Sequence, residues 1–191
     1  AIKGFQHQLN AIKQLQNHPA ASSLYFVWAG DGDQRAALET DITRNGLSER
    51  VRILGHRWDV ADWYDVADIF VLTSHFEGMP LCVMEAMAKG LPVVASAVSG
   101  IPEELGDTGK LLPDPTTQPD KTAKELAHTL VQWAASPTLR GEIGRRSQAR
   151  AEKNFHEETM TKKTVALIRS HVTTSRQYSL YDEQLAASCS D

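Results

Sequence analysis

The chain has 191 residues, 41% of them hydrophobic and 23% charged, enough to bury one full core in an ordinary globular domain. Its net charge of −4 leaves no electrostatic footprint for nucleic acid, and no apolar run approaches the length of a membrane span. The two cysteines, Cys82 and Cys189, make no disulfide or metal-ligand pattern and no secretory leader is visible, so a cytoplasmic location is expected.

Lys3-Gly4 opens the chain, and Phe5, Leu9, Ile12 and Leu15 then recur at helical spacing. Leu24 to Ala29 is a continuous apolar run of strand length, the mark of a buried parallel strand. It ends at Gly30-Asp31-Gly32-Asp33, where glycine permits a tight turn and close approach of a ligand, and taken alone a plain turn is the better reading. The third glycine of a dinucleotide fingerprint is absent, which argues against an oxidoreductase site. Asp33 is the expected N-cap of a helix through Ala37, Leu38 and Ile42 that stops at Asn45-Gly46. Val51 to Leu54 reads as the next strand, followed by Gly55-His56-Arg57-Trp58-Asp59. Trp58 is expected to start the following helix and pack on Trp63. That helix takes Val60, Trp63, Tyr64 and Val66, and Asp68 then turns the chain into the strand Ile69 to Leu72.

The stretch Ser74 to Lys89 passes through a loop into a helix, with Pro80 placed as the first helical residue. Two carboxylates bracket the helix start, Glu77 in the loop and Glu85 inside the helix. A helix N-terminus offers unpaired N–H groups and partial positive charge, a natural seat for phosphate. Carboxylates repel a phosphate but accept hydrogen bonds from hydroxyls. A sugar nucleotide has both features, with its ribose on Glu85 and its transferred sugar on Glu77. A helix start with a solvated acid on each side accounts for the same residues. His75 reads as an exposed loop residue within reach of a ligand, and Cys82, Met84 and Met87 read as packing.

Leu91 to Ala95 forms the next strand, with Pro92 near its start. Ser96 to Gly100 is a small-residue loop, and Gly100-Ile101-Pro102-Glu103 begins a short helix in which Glu103 caps or shapes a pocket. Lys110 to Leu112 is the last strand expected. Helices follow through Leu126, Leu130 and Trp133, from Pro137 to about Asn154, and from Glu157 to His171. The second carries Arg140, Arg145, Arg146, Arg150 and Lys153, diluted by Glu142 and Glu152, and reads as a solvated face. From Thr173 the chain is polar and reads as a mobile tail, as a segment crossing to another domain or, at Gln177 to Tyr181, as a makeshift strand. Strands alternating with helices argue a three-layer α/β domain.

Several of these stretches, taken together, carry a resemblance. Glu77-Gly78-Met79-Pro80-Leu81-Cys82-Val83-Met84-Glu85-Ala86-Met87-Ala88, followed by Gly90-Leu91-Pro92-Val93-Val94-Ala95, resembles the donor-binding signature of retaining glycosyltransferases of the GT-B fold. The group includes many bacterial lipopolysaccharide, capsule and mannosyl transferases. The likeness runs from about Lys3 to about Phe155 and includes Ala29-Gly30-Asp31-Gly32, Ile53-Leu54-Gly55, Ala67-Asp68-Ile69-Phe70-Val71-Leu72 and Gly100-Ile101-Pro102-Glu103.

The resemblance implies a Rossmann-like parallel sheet, one half of a GT-B fold, over residues 1–172, with 173–191 as a tail. In the order 3-2-1-4-5-6 the family's first strand and its loop arginine precede the lysine, and this chain starts after both. Strands two and four are therefore expected to face each other across a slot. The resemblance implies that Lys3 contacts the donor diphosphate and, with Glu77, carries the catalytic role. It also implies donor contacts at Gly30, Gly55, Arg57, Gly78, Met79, Pro80, Leu81, Cys82 and Glu85. Pro80 departs from the pattern: many members have glycine there, whose N–H can donate, and proline has none.

No metal or cofactor is implied; the substrate is a UDP-, GDP- or ADP-sugar. The implied partners are an acceptor sugar or lipid-linked sugar and an N-terminal GT-B domain, without which this chain is expected to be inactive. Peripheral contact with the inner face of the membrane is implied for the full-length protein, and no nucleic acid. A sugar-nucleotide epimerase or phosphorylase on the same fold, or a non-catalytic nucleotide-binding module, are the alternatives.

Overall fold

A computed structural model describes residues 3–172. The tail from Thr173, including the strand expected at Gln177 to Tyr181, lies outside the described residues. By contacts the chain divides after Ala151 into two compact units.

In the first unit helices and short parallel strands alternate. They are α1 (Phe5–Leu15), β1 (Phe26–Ala29), α2 (Arg35–Arg44), β2 (Val51–Gly55), α3 (Val60–Val66), β3 (Phe70–Leu72), α4 (Leu81–Ala88), β4 (Val93–Ser96), α5 (Ile101–Leu105), β5 (Lys110–Leu112) and α6 (Pro119–Ala135). Next comes α7 (Pro137–Phe155), whose last residues belong to the second unit, followed by α8 (Glu157–Val172).

The strands form two parallel sheets, β1-β2 and β3-β4-β5. Phe26 pairs with Val51, Phe70 with Val93 and Ala95 with Leu111. This is the expected order on either side of the first-strand position, and among the described residues no ladder joins β1 to β3. The helix α1 connects the two sheets by packing. Leu9 and Ile12 join Trp28, Leu38, Ile42, Leu47 and Val51 in one core cluster. Ala11 and Leu15 join Val94, Leu112, Leu126, Leu130 and Trp133 in the other. Residues three and four apart are neighbours on a helix surface, so two turns of α1, from Leu9 to Leu15, serve both cores. Each buried Leu or Ile contributes about 1.5–3 kcal/mol.

Three local expectations need correction. The first strand starts at Phe26 rather than Leu24, and Tyr25 beside it is exposed. Asp33 does not cap α2, which begins at Arg35 with Gln34 at the N-cap. The turn is taken by Asp31, whose Oδ1 accepts from the Gly32 N–H at 2.8 Å while its Oδ2 meets Arg35 at 3.0 Å. Both contacts hold the Asp31 carboxyl below its usual pKa. Trp58 neither starts α3 nor packs on Trp63: it is 93% exposed and stands edge-on to His56, 4.6 Å between ring centres.

Arg140, Arg146 and Arg150 of α7 also depart from a solvated face. Arg140 donates to the Trp133 and Ala134 carbonyls, Arg146 to the Asp107 carbonyl and carboxylate, and Arg150 to the Glu103 and Glu104 carbonyls. Ser147, fully buried, donates to the Thr108 carbonyl. This stretch of α7 therefore closes the carbonyl ends of α5 and α6, which a helix leaves without partners. In the second unit α8 exposes Met160, Val165, Leu167 and Ile168. Among the described residues no helix is long and apolar enough to cross a membrane.

Candidate functional site

β3 ends at Leu72, and Thr73 to Pro80 then run over the carboxyl edge of the sheet into α4. Three neighbours hold this loop. The Thr73 hydroxyl donates to the Gly4 carbonyl at 2.9 Å. Gly4 has φ 65°, and a Cβ there would lie 1.9 Å from the Thr73 oxygen. Ser96, at the end of β4, donates to the Ser74 carbonyl at 2.6 Å. Gly100 donates its N–H to the Gly78 carbonyl at 3.0 Å. The starts of α1 and α5 thus meet the loop from either side.

Pro80 is not the first helical residue. It occupies the N-cap position with φ −73° and ψ 114°, and α4 begins at Leu81. An extended residue placed before the helix lets the proline carbonyl accept the Val83 N–H at 2.9 Å. The N–H groups of Gly78, Met79, Leu81 and Cys82 have no acceptor among the described residues. The helix start therefore presents N–H groups and partial positive charge, as the sequence suggested, with the loop supplying more.

Glu77 is brought together with Lys3. The Lys3 ammonium donates to Glu77 Oε1 at 2.7 Å, and the Ser74 hydroxyl donates to the same oxygen at 2.6 Å. The Glu77 side chain is 11% exposed and that of Lys3 54%. Among the described residues nothing bonds Glu77 Oε2. Glu85 is arranged in the same way. Its Oε2 accepts from the Tyr64 hydroxyl at 2.8 Å, and its Oε1 has no partner among the described residues. Each carboxylate thus spends one oxygen on the protein and leaves the other open. Burial raises the Cys82 thiol to about 11, and the charges of Lys3, Glu77, Glu85 and Glu104 all reach it. These four side chains therefore gather around the first turn of α4, and the thiol is an unreactive packing group.

His75 is not a lone loop histidine. Its Nε2 lies 2.7 Å from Nε2 of His7 on α1, so one ring donates and the other accepts. Burial first, and the His75 charge second, lower the pKa of His7, and the contact ties the loop to α1. Gly30 and Gly55 meet through a hydrogen bond from the Gly30 N–H to the Gly55 carbonyl at 2.8 Å, joining the ends of β1 and β2. Arg57 is occupied by Asp59 through its Nε at 2.7 Å and through its Nη2. Among the described residues no group of three or more His, Cys, Asp or Glu side chains could hold a metal ion.

The sequence reading missed Tyr64, Ser74 and His7 as members of this constellation. It also missed Glu104, which is 0% exposed on α5 with neither carboxyl oxygen hydrogen-bonded. The Met84 N–H of α4 faces this carboxyl without completing a bond, and burial lifts its pKa to about 7. An acidic residue one position before a buried leucine in a short helix was the available signal, and Glu103 competed for it.

Comparison with known proteins identifies the family and the fold. The family described as Glycosyl transferases group 1 matches residues 1–132. The Vi polysaccharide biosynthesis protein VipC/TviE of Salmonella typhi is 33% identical over 162 residues, 84% of this chain and 27% of that protein. The structure of Anabaena Alr3699/HepE in complex with UDP superposes with a TM-score of 0.78 at 26% identity, over 88% of this chain and 46% of the other. The C-terminal domain of the group 1 glycosyl transferase LpcC of Francisella tularensis gives 0.69 at 25% identity, over 82% of this chain and 81% of that domain. This chain therefore spans about a quarter to a half of the full-length proteins named here and most of the isolated C-terminal domain.

Proposed function

The chain belongs to the group 1 glycosyl transferases, and we propose that it is the donor-binding half of a retaining enzyme that moves a sugar from a nucleotide-diphosphate donor to an acceptor hydroxyl in cell-surface polysaccharide or glycolipid synthesis. The observation that carries this reading is the pair of half-engaged carboxylates flanking a helix start with unpaired N–H groups. The donor diphosphate lies on the N–H groups of Gly78, Met79, Leu81 and Cys82. Glu77 Oε2 accepts from a hydroxyl of the transferred sugar, and Glu85 Oε1 accepts from the ribose. The base lies beside Gly30, Gly55 and Arg57.

In the reaction the bond from the anomeric carbon to the diphosphate oxygen breaks, a bond from the acceptor oxygen to that carbon forms on the same face, and the acceptor's hydroxyl proton passes to the leaving diphosphate. Negative charge grows on the leaving diphosphate. The helix start and Lys3 meet that charge, which is where preorganised donors lower a barrier. The proposal needs no metal for this step. Lys3 is 54% exposed while Glu77 is 11% exposed, and the Ser74 hydroxyl also holds Glu77 Oε1. Lys3 can therefore turn from Glu77 to the diphosphate while Ser74 keeps its bond to the carboxylate. The acceptor and the remaining catalytic groups belong to an N-terminal GT-B domain, and the whole enzyme works on the cytoplasmic side of the membrane.

Calorimetric titration of the chain with UDP, GDP and ADP tests the reading, and UDP comes first because the HepE structure holds it. One nucleotide should bind saturably. Glu85→Ala should weaken it by about tenfold to a hundredfold, the loss of one hydrogen bond to a charged group. Equal affinity in the variant would remove Glu85 from the ribose.

A further inference from the structure

Tyr64 holds Glu85 from below. It lies on α3, the helix that follows the Gly55–Asp59 loop, and only 8% of it is exposed. Its ring packs against Phe70 of β3, 5.9 Å between centres. The hydroxyl is fixed as well, 2.8 Å from Glu85 Oε2 and 3.4 Å from the Cys82 carbonyl. Burial and the facing Glu85 carboxylate drive the phenol pKa far above its usual value. The proton therefore stays on the tyrosine, and the direction of the bond is set: Tyr64 donates and Glu85 accepts.

Glu85 itself is exposed on the helix. A solvated glutamate has three side-chain torsions to lose when a ligand orders it. The bond to Tyr64 imposes that order beforehand and leaves one oxygen pointing away from it. We propose that Tyr64 is a positioning residue for the donor's ribose: its hydroxyl locks Glu85 so that the remaining oxygen meets the ribose hydroxyls, and this sets the selection of ribonucleotides over nucleotides lacking them. The inference rests on the reading that Glu85 takes the ribose. Preorganisation of this kind raises affinity by removing an ordering cost. It acts only on ligands that Glu85 touches.

The test uses the whole chain, with UDP and 2′,3′-dideoxy-UDP as probes. Tyr64→Phe keeps the ring and its packing and removes one oxygen. It should weaken UDP about tenfold, leave the dideoxy nucleotide unchanged and so collapse the preference between them. In a Glu85→Ala background the same exchange should have no further effect on UDP. Equal weakening of both nucleotides, or an unaltered preference, would overturn the positioning role. If Glu85→Ala itself leaves the wild-type preference intact, or if wild type binds neither probe, the donor-site reading fails and takes this inference with it. Loss in Glu85→Ala with none in Tyr64→Phe sinks the inference alone.

Discussion

Gly100→Ala should lower the stability of the chain by about 3 kcal/mol, the upper end of what overpacking a rigid contact costs. The reason is local. A Cβ built on Gly100 would stand 2.2 Å from the Gly78 carbonyl oxygen and 3.2 Å from its carbon. The obstacle is backbone, so no rotamer change relieves it. The same carbonyl accepts the Gly100 N–H at 3.0 Å, and any shift that admits the methyl breaks that bond. Gly78 lies in the loop that presents the α4 start. The loop would therefore move, and nucleotide affinity should fall together with the melting temperature. Chemical denaturation of the variant checks the first effect and a UDP titration the second. Wild-type stability would mean that the loop yields freely, contrary to the clamped loop described here.

Glu104 should give the chain an unusual pH profile. Its carboxyl is raised from 4.5 to about 7 by burial. Between those values the folded chain holds a proton that the unfolded chain has released. Stability contributed by this group is therefore full below about pH 4.5, falls as the pH rises to about 7 and is level above. The linked loss is about 3 kcal/mol. Glu104→Gln cannot ionise, so its stability relative to wild type should grow across that window. Denaturation of both chains at pH 4.5 and pH 8 reads the difference directly. Parallel profiles would contradict a buried carboxyl that titrates near neutrality. The other charged groups near it are Glu77 and the Arg150 guanidinium, which donates to the Glu103 and Glu104 carbonyls. A neutral Glu104 spares the helix start a negative charge close to where the proposed diphosphate lies.

The strand β4 was legible in the sequence because it is buried on both faces, whereas β1, read as a buried strand, exposes Val27 and Ala29. Val93, Val94 and Ala95 are all fully buried in β4, and such strands appear as unbroken apolar runs. The slot between β1 and β3 was legible as well, since the strand order followed from the resemblance. Element starts were less so. Asp31 and Asp33 are equivalent as letters, and only the backbone at Gly32 decides which one takes the turn. Trp58 was expected to start α3 and pack on Trp63, yet it lies on a loop that turns it into solvent.

The glutamates and the helix start were legible because they lie on one short segment. Their partners were not. The resemblance placed Lys3 with Glu77, but His7 reaches His75 across 68 residues and Tyr64 reaches Glu85 across 21. Local spacing carries no information about such pairs; the fold creates them by bringing α1 and α3 to the β3–α4 loop. Arg146 and Arg150 of α7 were misread for the same reason, since the carbonyls of Asp107, Glu104 and Glu103 lie 39 to 47 residues away.

The central claim is that a nucleoside diphosphate lies on the start of α4 between Glu77 and Glu85. The most direct measurement is an amide NMR titration of the chain with UDP. The account predicts saturable shifts centred on the Gly78, Met79, Leu81 and Cys82 amides, with a second group at Gly55 to Arg57. Shifts confined elsewhere, for example to the hollow between α2 and β2 lined by Glu39, Thr43, Arg52 and Ile53, or no shifts at millimolar UDP, GDP and ADP, would contradict it.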